Sequence, residues 1–408
     1  MSHDHCALVS QLRELLTHQQ YKPGTVYNRC LFAGHFLEYL SQRDIPVEQA
    51  TPAHVSSYLR CAVRRFKQRR GRTPSQYWRT DPRAGVHALL RMVQKKWPPE
   101  APPVSAGEAA CRSICKEYDE YLRAERGLAE ASISALIWEG RHFLDWYAGR
   151  TGAAHVGNLS IRDVDDYFES RARHLTRRSL KDVAERLRAF ARFLHRSGHV
   201  GVDLAPRIIS PIMYAYEGIP AALTAEQIAA VLRKTRRDRS SIGLRDYAIL
   251  LLLSTYGLRA GEIKGLRVDD IDWRAETLNV RQSKSGVHSR FPLVPVVGNA
   301  LLDYLRYGRP KTGAREVFVR SRAPYRSPVR IYKEVRRRLE AAGIKPVGKW
   351  GPHTFRHARA VSMLRASVSR KFIGDLLGHR SAESTLAYLK LATEDLRAIA
   401  LEIPEARS

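Results

Sequence analysis

The feature that most limits what this chain can fold into is a repetition in its first half. "GTVYNRCLFAGHFLEYL" (residues 24–40) aligns with "ASISALIWEGRHFLDWY" (131–147) at an offset of 107, with His35/His142, Phe36/Phe143 and Leu37/Leu144 identical. Further on, "TPAHVSSYL" (51–59) matches "SIRDVDDYF" (160–168), which puts Val55 in register with Val164 and Tyr58 with Tyr167. Apolar positions recur at helical spacing in both copies, as in the set Ile137, His142, Phe143 and Tyr147. "TPAHV" and "SIRDV" both read as N-capped helix starts. The expectation is two small all-helical domains of similar build, at 1–100 and 101–205. Two copies make a domain duplication and not a solenoid. "WPPEAPPVSAGE" (97–108), rich in proline and small residues, is the expected joint.

A second joint is expected at 206–222, inside the proline-containing stretch "VGVDLAPRIISPIMYAYEGIPAAL" (200–223). Thr224 then opens a helix, with Glu226 and Gln227 in its first turn. The remainder, 223–408, reads as a mostly helical α+β domain. "DYAILLLLSTYGL" (246–258) is a buried helix, and "ETLNVRQ" and "SRFPLVP" flank "SKSGVH" as a β-hairpin. "PVRIYKEVRRRLEAAG" (328–343) is amphipathic: Ile331, Val335 and Leu339 line one face, Lys333, Arg336 and Arg337 the other. "HTFRHARAVSMLRA" and "RKFIGDLLGH" are further helices, and "SAESTLAYLKLATEDLRAIALEI" closes the chain. The fold class is therefore mainly α, with a small β-hairpin in the last domain.

Charge narrows the partner. The 408 residues hold 69 Lys and Arg against 41 Asp and Glu, a net charge of +28. Such an excess repels itself unless an anionic partner neutralises it. Nucleic acid is the first candidate and an anionic membrane the second. The excess is uneven: residues 51–100 hold 12 basic and 2 acidic residues, and residues 301–350 hold 14 and 4, as a phosphate-tracking surface requires. "YAILLLL" (247–253) falls far short of the roughly 20 apolar residues of a membrane helix. "MSHDHCALVSQL" has no signal pattern, so a chain made and kept in the cytoplasm is expected, with no membrane partner. Cys6, Cys30, Cys61, Cys111 and Cys115 form no CxxC pair and read as reduced thiols.

Several chemistries lack their residues. There is no GxxxxGK[ST], hence no sign of nucleotide hydrolysis. His353 and His357 lie one turn apart, but Thr354 stands where a zincin carries its glutamate. Glu262, Asp269, Asp270 and Asp272 suggest a two-metal nuclease, yet no second acidic cluster follows and a DxD before a strand is commonly turn chemistry. No metal and no cofactor are expected. What remains is a spread of cations and imidazoles around one tyrosine: Arg259, Lys284, His353, Arg356, His379 and Tyr388. Taken singly, each has a structural reading: Arg259 as a helix-end partner of Glu262, Lys284 as a turn lysine, His379 at a helix C-terminus, Tyr388 as core.

Taken in order, "GLRAGEI", "QSKSG", "PHTFRH", "LLGH" and the nine-residue step from His379 to Tyr388 resemble the tyrosine recombinase (phage-integrase-like) family, which includes the Xer recombinases. The family order is Arg, Lys, His-x-x-Arg, His or Trp, then Tyr. The resemblance covers the last domain and, in outline, the helical core-binding domain at 101–205; the extra repeat at 1–100 departs from the two-domain plan. It implies site-specific cutting and rejoining of DNA through a 3′-phosphotyrosine, with neither ATP nor metal. It makes Tyr388 the nucleophile, Arg259 and Arg356 the phosphate clamp, Lys284 the proton donor to the leaving 5′-hydroxyl, and His379 a hydrogen-bond donor to a phosphate oxygen. His353 is positioned to accept the tyrosine proton. The implied partners are double-stranded DNA with paired half-sites, four protomers in a synapse, and sister recombinases, with the tail after Tyr388 docking on a neighbouring protomer. A type IB topoisomerase-like enzyme and a non-catalytic DNA-binding protein of the same fold are the alternatives. "RRFKQRRGR" (64–72) and "HLTRRSLKD" (174–182) lie at comparable places in the two repeats, so Arg64, Arg65, Lys67, Arg69, Arg70, Arg177, Arg178 and Lys181 are the candidate phosphate contacts.

Overall fold

The computed structural model describes residues 3–152, 156–214, 222–282, 288–326, 330–345 and 350–378. The chain divides into two compact units, Glu100–Glu217 and the remainder, Met1–Pro99 with Gly218–Ser408.

The first repeat consists of α1 (His3–His18), α2 (Pro23–Ser41), α3 (Pro52–Arg70) and α4 (Gln76–Gln94). Thr51 starts α3 with a capping box: its hydroxyl accepts from the His54 N–H while His54 Nδ1 accepts from the Thr51 N–H. Leu12, Leu16, Phe36, Leu37, Leu40, Tyr58, Leu89 and Leu90 meet in one core. Gly85 lets α4 lie close on α2, since a β-carbon there would stand 2.6 Å from the Arg29 carbonyl oxygen.

The second repeat, within the other unit, consists of α5 (Ala106–Ala124), α6 (Glu130–Thr151), α7 (Ile161–Ala172) and α8 (Arg177–Arg196). Ser105, Ser160 and Thr176 cap α5, α7 and α8 with their hydroxyls. Its core holds Tyr118, Phe143, Leu144, Tyr147, Tyr167, Leu187 and Phe190.

The repeated positions are core in both copies: Phe36 and Phe143, Leu37 and Leu144, Val55 and Val164, Tyr58 and Tyr167 are all buried. The buried tyrosines even reach equivalent places. The Tyr58 hydroxyl donates to the Phe32 carbonyl (3.2 Å), and the Tyr167 hydroxyl to Glu139 Oε1 (2.8 Å), residue 139 being the counterpart of 32 at the offset of 107 that relates 24–40 to 131–147. The shared histidine is the exception. His35 is half-buried and His142 exposed, so that match does not belong to the apolar stripe. His142 instead lies on Trp138, with ring centroids 3.7 Å apart and its Nδ1 2.8 Å from the Trp138 carbonyl oxygen.

The third core belongs to α9 (Ala225–Arg236), α10 (Ser241–Tyr256), α11 (Ala260–Gly265), α12 (Pro295–Asp303), α13 (Ile331–Ala341) and α14 (Pro352–Arg365), and α15 (Arg370–Leu377) packs its buried Ile373 and Leu377 with Ala360 and Met363 of α14 in a smaller cluster. Thr224 and Gln227 cap α9 as a capping box. α10 is the buried centre, with Ala248 and Leu250–Leu253 inside. A three-stranded antiparallel sheet, β1 (Ile271–Asp272), β2 (Thr277–Arg281) and β3 (His288–Pro292), runs in the order β1-β2-β3, with Leu278 opposite Phe291 and Val280 opposite Ser289. Alternation sends Leu278, Val280 and Phe291 inward.

Ile331, Val335 and Leu339 of α13 are buried, as its period requires. Arg337 is exposed, as expected of the polar face, and its guanidinium also donates to the buried carboxylate of Asp246 (2.7 Å), alongside Arg338 Nε (2.8 Å) and Arg245 Nη2 (2.9 Å). A carboxylate inside α10 needs such partners, because a lone buried charge is costly. Among the described residues no helix is long and apolar enough to cross a membrane.

Candidate active site

Of the six residues expected to carry chemistry, Arg259, His353 and Arg356 are described; Lys284, His379 and Tyr388 lie outside the described residues, as does the whole chain after Gly378. The three that can be placed come from two turns of chain. α10 ends at Gly257, whose left-handed backbone (φ +66°) redirects the chain through Leu258 to Arg259, the residue that caps α11. His353 and Arg356 sit in the first two turns of α14, His353 exposed and Arg356 buried.

The two guanidinium groups meet at the end of α15. Arg356 Nη1 donates to the Gly257 carbonyl (2.9 Å) and its Nη2 to the Leu377 carbonyl. Arg259 Nη2 donates to the next carbonyl, that of Gly378 (2.8 Å). A helix C-terminus presents unpaired carbonyls and partial negative charge, so it is a natural seat for cations. Glu262 completes the support: its Oε1 accepts from Arg259 Nη1 (2.8 Å) and its Oε2 from the Arg259 N–H (2.7 Å). This is the ion pair that the spacing of Arg259 and Glu262 allows, and it coexists with the placement beside Arg356. The His353 ring lies 6.3 Å from that of Tyr332 and 6.1 Å from that of His357, centroid to centroid.

The sheet reaches the same place. Gln282, directly after β2, is buried, and its amide lies against Gly378. It is two residues before Lys284 in sequence, and Gly378 is one residue before His379. The remaining acids of the 262–272 cluster have turn and surface partners: Asp270 accepts from the Arg267 N–H (2.7 Å), Asp272 from those of Arg274 (3.0 Å) and Ala275 (2.8 Å), and Asp269 pairs with Arg315 (2.5 Å).

The eight candidate phosphate contacts fall on two different elements. Arg64, Arg65, Lys67, Arg69 and Arg70 are exposed on the last turns of α3, with no ion pair to any of them among the described residues. Arg177 and Arg178 are exposed and Lys181 half-buried at the start of α8. The places are comparable in sequence, but α3 runs 19 residues and α7 only 12, so the basic stretch ends one helix in the first repeat and opens the next in the second. The Arg177 guanidinium carbon also stands 5.1 Å from the Tyr214 ring centroid. Burial holds the His35 imidazole below its ordinary pKa; Glu38 opposes this, and Arg65 and Arg69 add to it.

Of the groups that support the arginines, Glu262 is legible in the sequence as the helix-end partner of Arg259, whereas Gln282 is not singled out there. A buried-strand pattern with an amide at its third inward position was the available signal for Gln282. The Leu377 and Gly378 carbonyls carry no side-chain signature at all.

A sequence profile described as "Phage integrase family" matches residues 221–395. The putative integrase/recombinase y4rA of Sinorhizobium fredii (strain NBRC 101917 / NGR234) is 32% identical over 396 residues, covering 96% of this chain and 92% of that protein. The chain belongs to the phage integrase family. A second protein of that strain, putative integrase/recombinase y4gC, is 61% identical over 186 residues, covering 46% of this chain and 97% of its own length. Tyrosine recombinase XerD of Lacticaseibacillus casei is 26% identical over 290 residues, 70% of this chain and 96% of XerD. As a phage integrase family member, the protein is a tyrosine recombinase, an enzyme of site-specific DNA strand breakage and rejoining. Its fold is similar to that of XerH site-specific recombinase bound to palindromic difH substrate in a post-cleavage complex, with a TM-score of 0.57 and 15% identity over 77% of this chain and 87% of XerH.

Proposed function

We propose that this recombinase opens each strand with Tyr388 and holds the cut end as a 3′-phosphotyrosine. The single observation that carries the reading is the convergence of Arg259 and Arg356 on consecutive carbonyls at the end of α15. A phosphodiester has one negative charge, and attack places more on its non-bridging oxygens. Two planar guanidinium groups held side by side can donate to those oxygens with fixed geometry. Such preorganised charge stabilises the transition state. Arg356 is almost wholly buried, so its direction is set before DNA arrives.

A tyrosine hydroxyl has a pKa of about 10 when unperturbed, and needs a positive site or a base to attack at neutral pH. In this proposal the arginines and Lys284 supply the field, and His353 takes the proton. Lys284 returns a proton to the leaving 5′-hydroxyl, and His379 donates to a phosphate oxygen. The phosphotyrosyl bond keeps the energy of the bond it replaced, so rejoining needs neither ATP nor metal. The substrate is duplex DNA with paired half-sites, bound by four protomers, with sister recombinases as further partners and the segment 393–408 as the link between protomers. The helical domains at 1–100 and 101–205 grip the duplex, joined by 206–222 to the catalytic domain at 223–408. The enzyme works in the bacterial cytoplasm, at the nucleoid.

The test is recombination of a supercoiled plasmid carrying two copies of the native flanking DNA. Exchange by the wild type, with loss of about 100-fold or more in Arg259→Ala and Arg356→Ala, is expected. Relaxation without exchange would favour a topoisomerase-like enzyme, and full activity of either arginine variant would overturn the clamp.

A further inference from the structure

We infer that Gln282 is a positioning residue for Arg259, acting through the carbonyl of Gly378. The inference rests on the reading of Arg259 as a phosphate clamp and extends it by one residue.

The inward positions after the start of β2 are Leu278, Val280 and Gln282: two apolar side chains, then a buried amide. An amide brought into a dry site needs partners. Gln282 Nε2 donates to Ser289 Oγ (2.7 Å), and Ser289 is itself fixed opposite Val280 in the β2–β3 ladder. The Gln282 side chain is therefore anchored to the sheet.

Its amide plane then lies on the α-carbon of Gly378. A β-carbon built at Gly378 would stand 2.1 Å from Gln282 Oε1, 2.4 Å from Cδ and 2.6 Å from Nε2. Gly378 also has φ +62°, a conformation that disfavours a side chain in its own right. Two constraints thus aim the carbonyl of Gly378: its left-handed backbone and the amide packed against it. That carbonyl accepts from Arg259 Nη2 at 2.8 Å. The chain of contacts runs from the sheet through Gln282 and Gly378 to the guanidinium. Truncating Gln282 opens space over Gly378 and lets the last carbonyl of the α15 cap tilt, taking Arg259 with it. A misplacement near 1 Å in a reacting group is enough to lower a rate about 100-fold.

The experiment uses the full chain and single-turnover cleavage of the DNA site recovered with the wild-type adduct. Two substrates are compared: the normal phosphodiester, and one with a methylphosphonate at the scissile position. The methyl group removes the negative charge that the guanidinium neutralises. Arg259→Ala is the reference, slow on the phosphodiester and relieved by the methylphosphonate. Gln282→Ala is expected to be about 10- to 100-fold slow on the phosphodiester, to recover to within about 3-fold on the methylphosphonate, and to bind DNA like the wild type. Wild-type cleavage by Gln282→Ala, or an equal defect on both substrates, would overturn the inference. A defect relieved instead by a 5′-thio leaving group, which needs no proton, would assign Gln282 to the Lys284 hairpin and also overturn it. If Arg259→Ala is not relieved by the methylphosphonate, the clamp reading fails and this inference with it. Should Gln282→Ala not fold, Ser289→Ala removes only the anchor hydroxyl and is expected to show the same pattern at about 3- to 10-fold.

Discussion

The two helical repeats share a core but treat their charges in opposite ways. The second is laced with ion pairs: Arg112 with Glu108, Arg123 with Asp119 and Glu130, Arg150 with Asp166, Arg196 with Glu125. It even buries one carboxylate, Glu139, between Tyr167, Arg171 and Arg186. The first shows no ion pair among its described residues, although 51–100 holds 12 basic side chains and 2 acidic ones. Paired cations are neutral from a distance and serve the fold. Unpaired ones keep a positive potential that a polyanion can relieve. We propose on this contrast that α3 carries the larger share of the non-specific part of DNA binding.

The sharpest way to break this comparison is to remove the α3 cations. Replacing Arg64, Arg65, Lys67, Arg69 and Arg70 together by Ala should flatten the slope of log affinity against log salt by up to about 4.5, at about 0.9 per phosphate contact. The melting temperature should barely move. The same treatment of Arg177, Arg178 and Lys181 should flatten the slope by less than about 3. An unchanged slope in the first variant would dissolve the contrast.

Next in size is the buried carboxylate. Arg171→Ala with Arg186→Ala strands Glu139 without its cations, and should lower stability by about 3–5 kcal/mol in denaturant unfolding. Glu139→Gln keeps the shape, removes the charge, and should cost about 1 kcal/mol. Equal costs would mean that solvent already reaches the site. The smallest effect compares the equivalent tyrosines. Tyr58→Phe removes one bond to a neutral carbonyl and should cost about 1 kcal/mol, whereas Tyr167→Phe removes both the bond donated to the Glu139 carboxylate and the one accepted from Arg171 Nη1, and should cost about 1.5–3 kcal/mol.

Much of this fold was legible because it rests on local rules. Thr51, Ser160 and Thr224 announce their helices through hydroxyl caps that need only a few residues of context. Phe36 and Phe143 mark the same core position by repetition, and the β2–β3 hairpin follows from alternation. The misreadings arise where tertiary contacts override a local pattern. His142 shares the helical spacing of its neighbours but finds the Trp138 ring outside the core. Arg337 is exposed on the polar stripe of α13 as read, but its reach to the Asp246 carboxylate inside α10 has no local signal. The buried Glu139 is not singled out in the sequence, and only the fold supplies its two arginines. In the candidate site, the order of six residue types pointed to the chemistry. The parts that aim Arg259 and Arg356 are backbone carbonyls and an amide from a distant strand, which leave no motif behind.

If Tyr388 attacks DNA, cells that contain the protein hold a covalent protein–DNA adduct that can be trapped. Wild type and Tyr388→Phe are expressed in the native host and lysed in strong denaturant, and DNA still attached to the purified protein is sequenced. Adducts are expected at a few discrete loci with the wild type and none with Tyr388→Phe. Adducts that persist in Tyr388→Phe, or wild-type protein free of DNA while recombining its site in the same cells, would contradict attack by Tyr388.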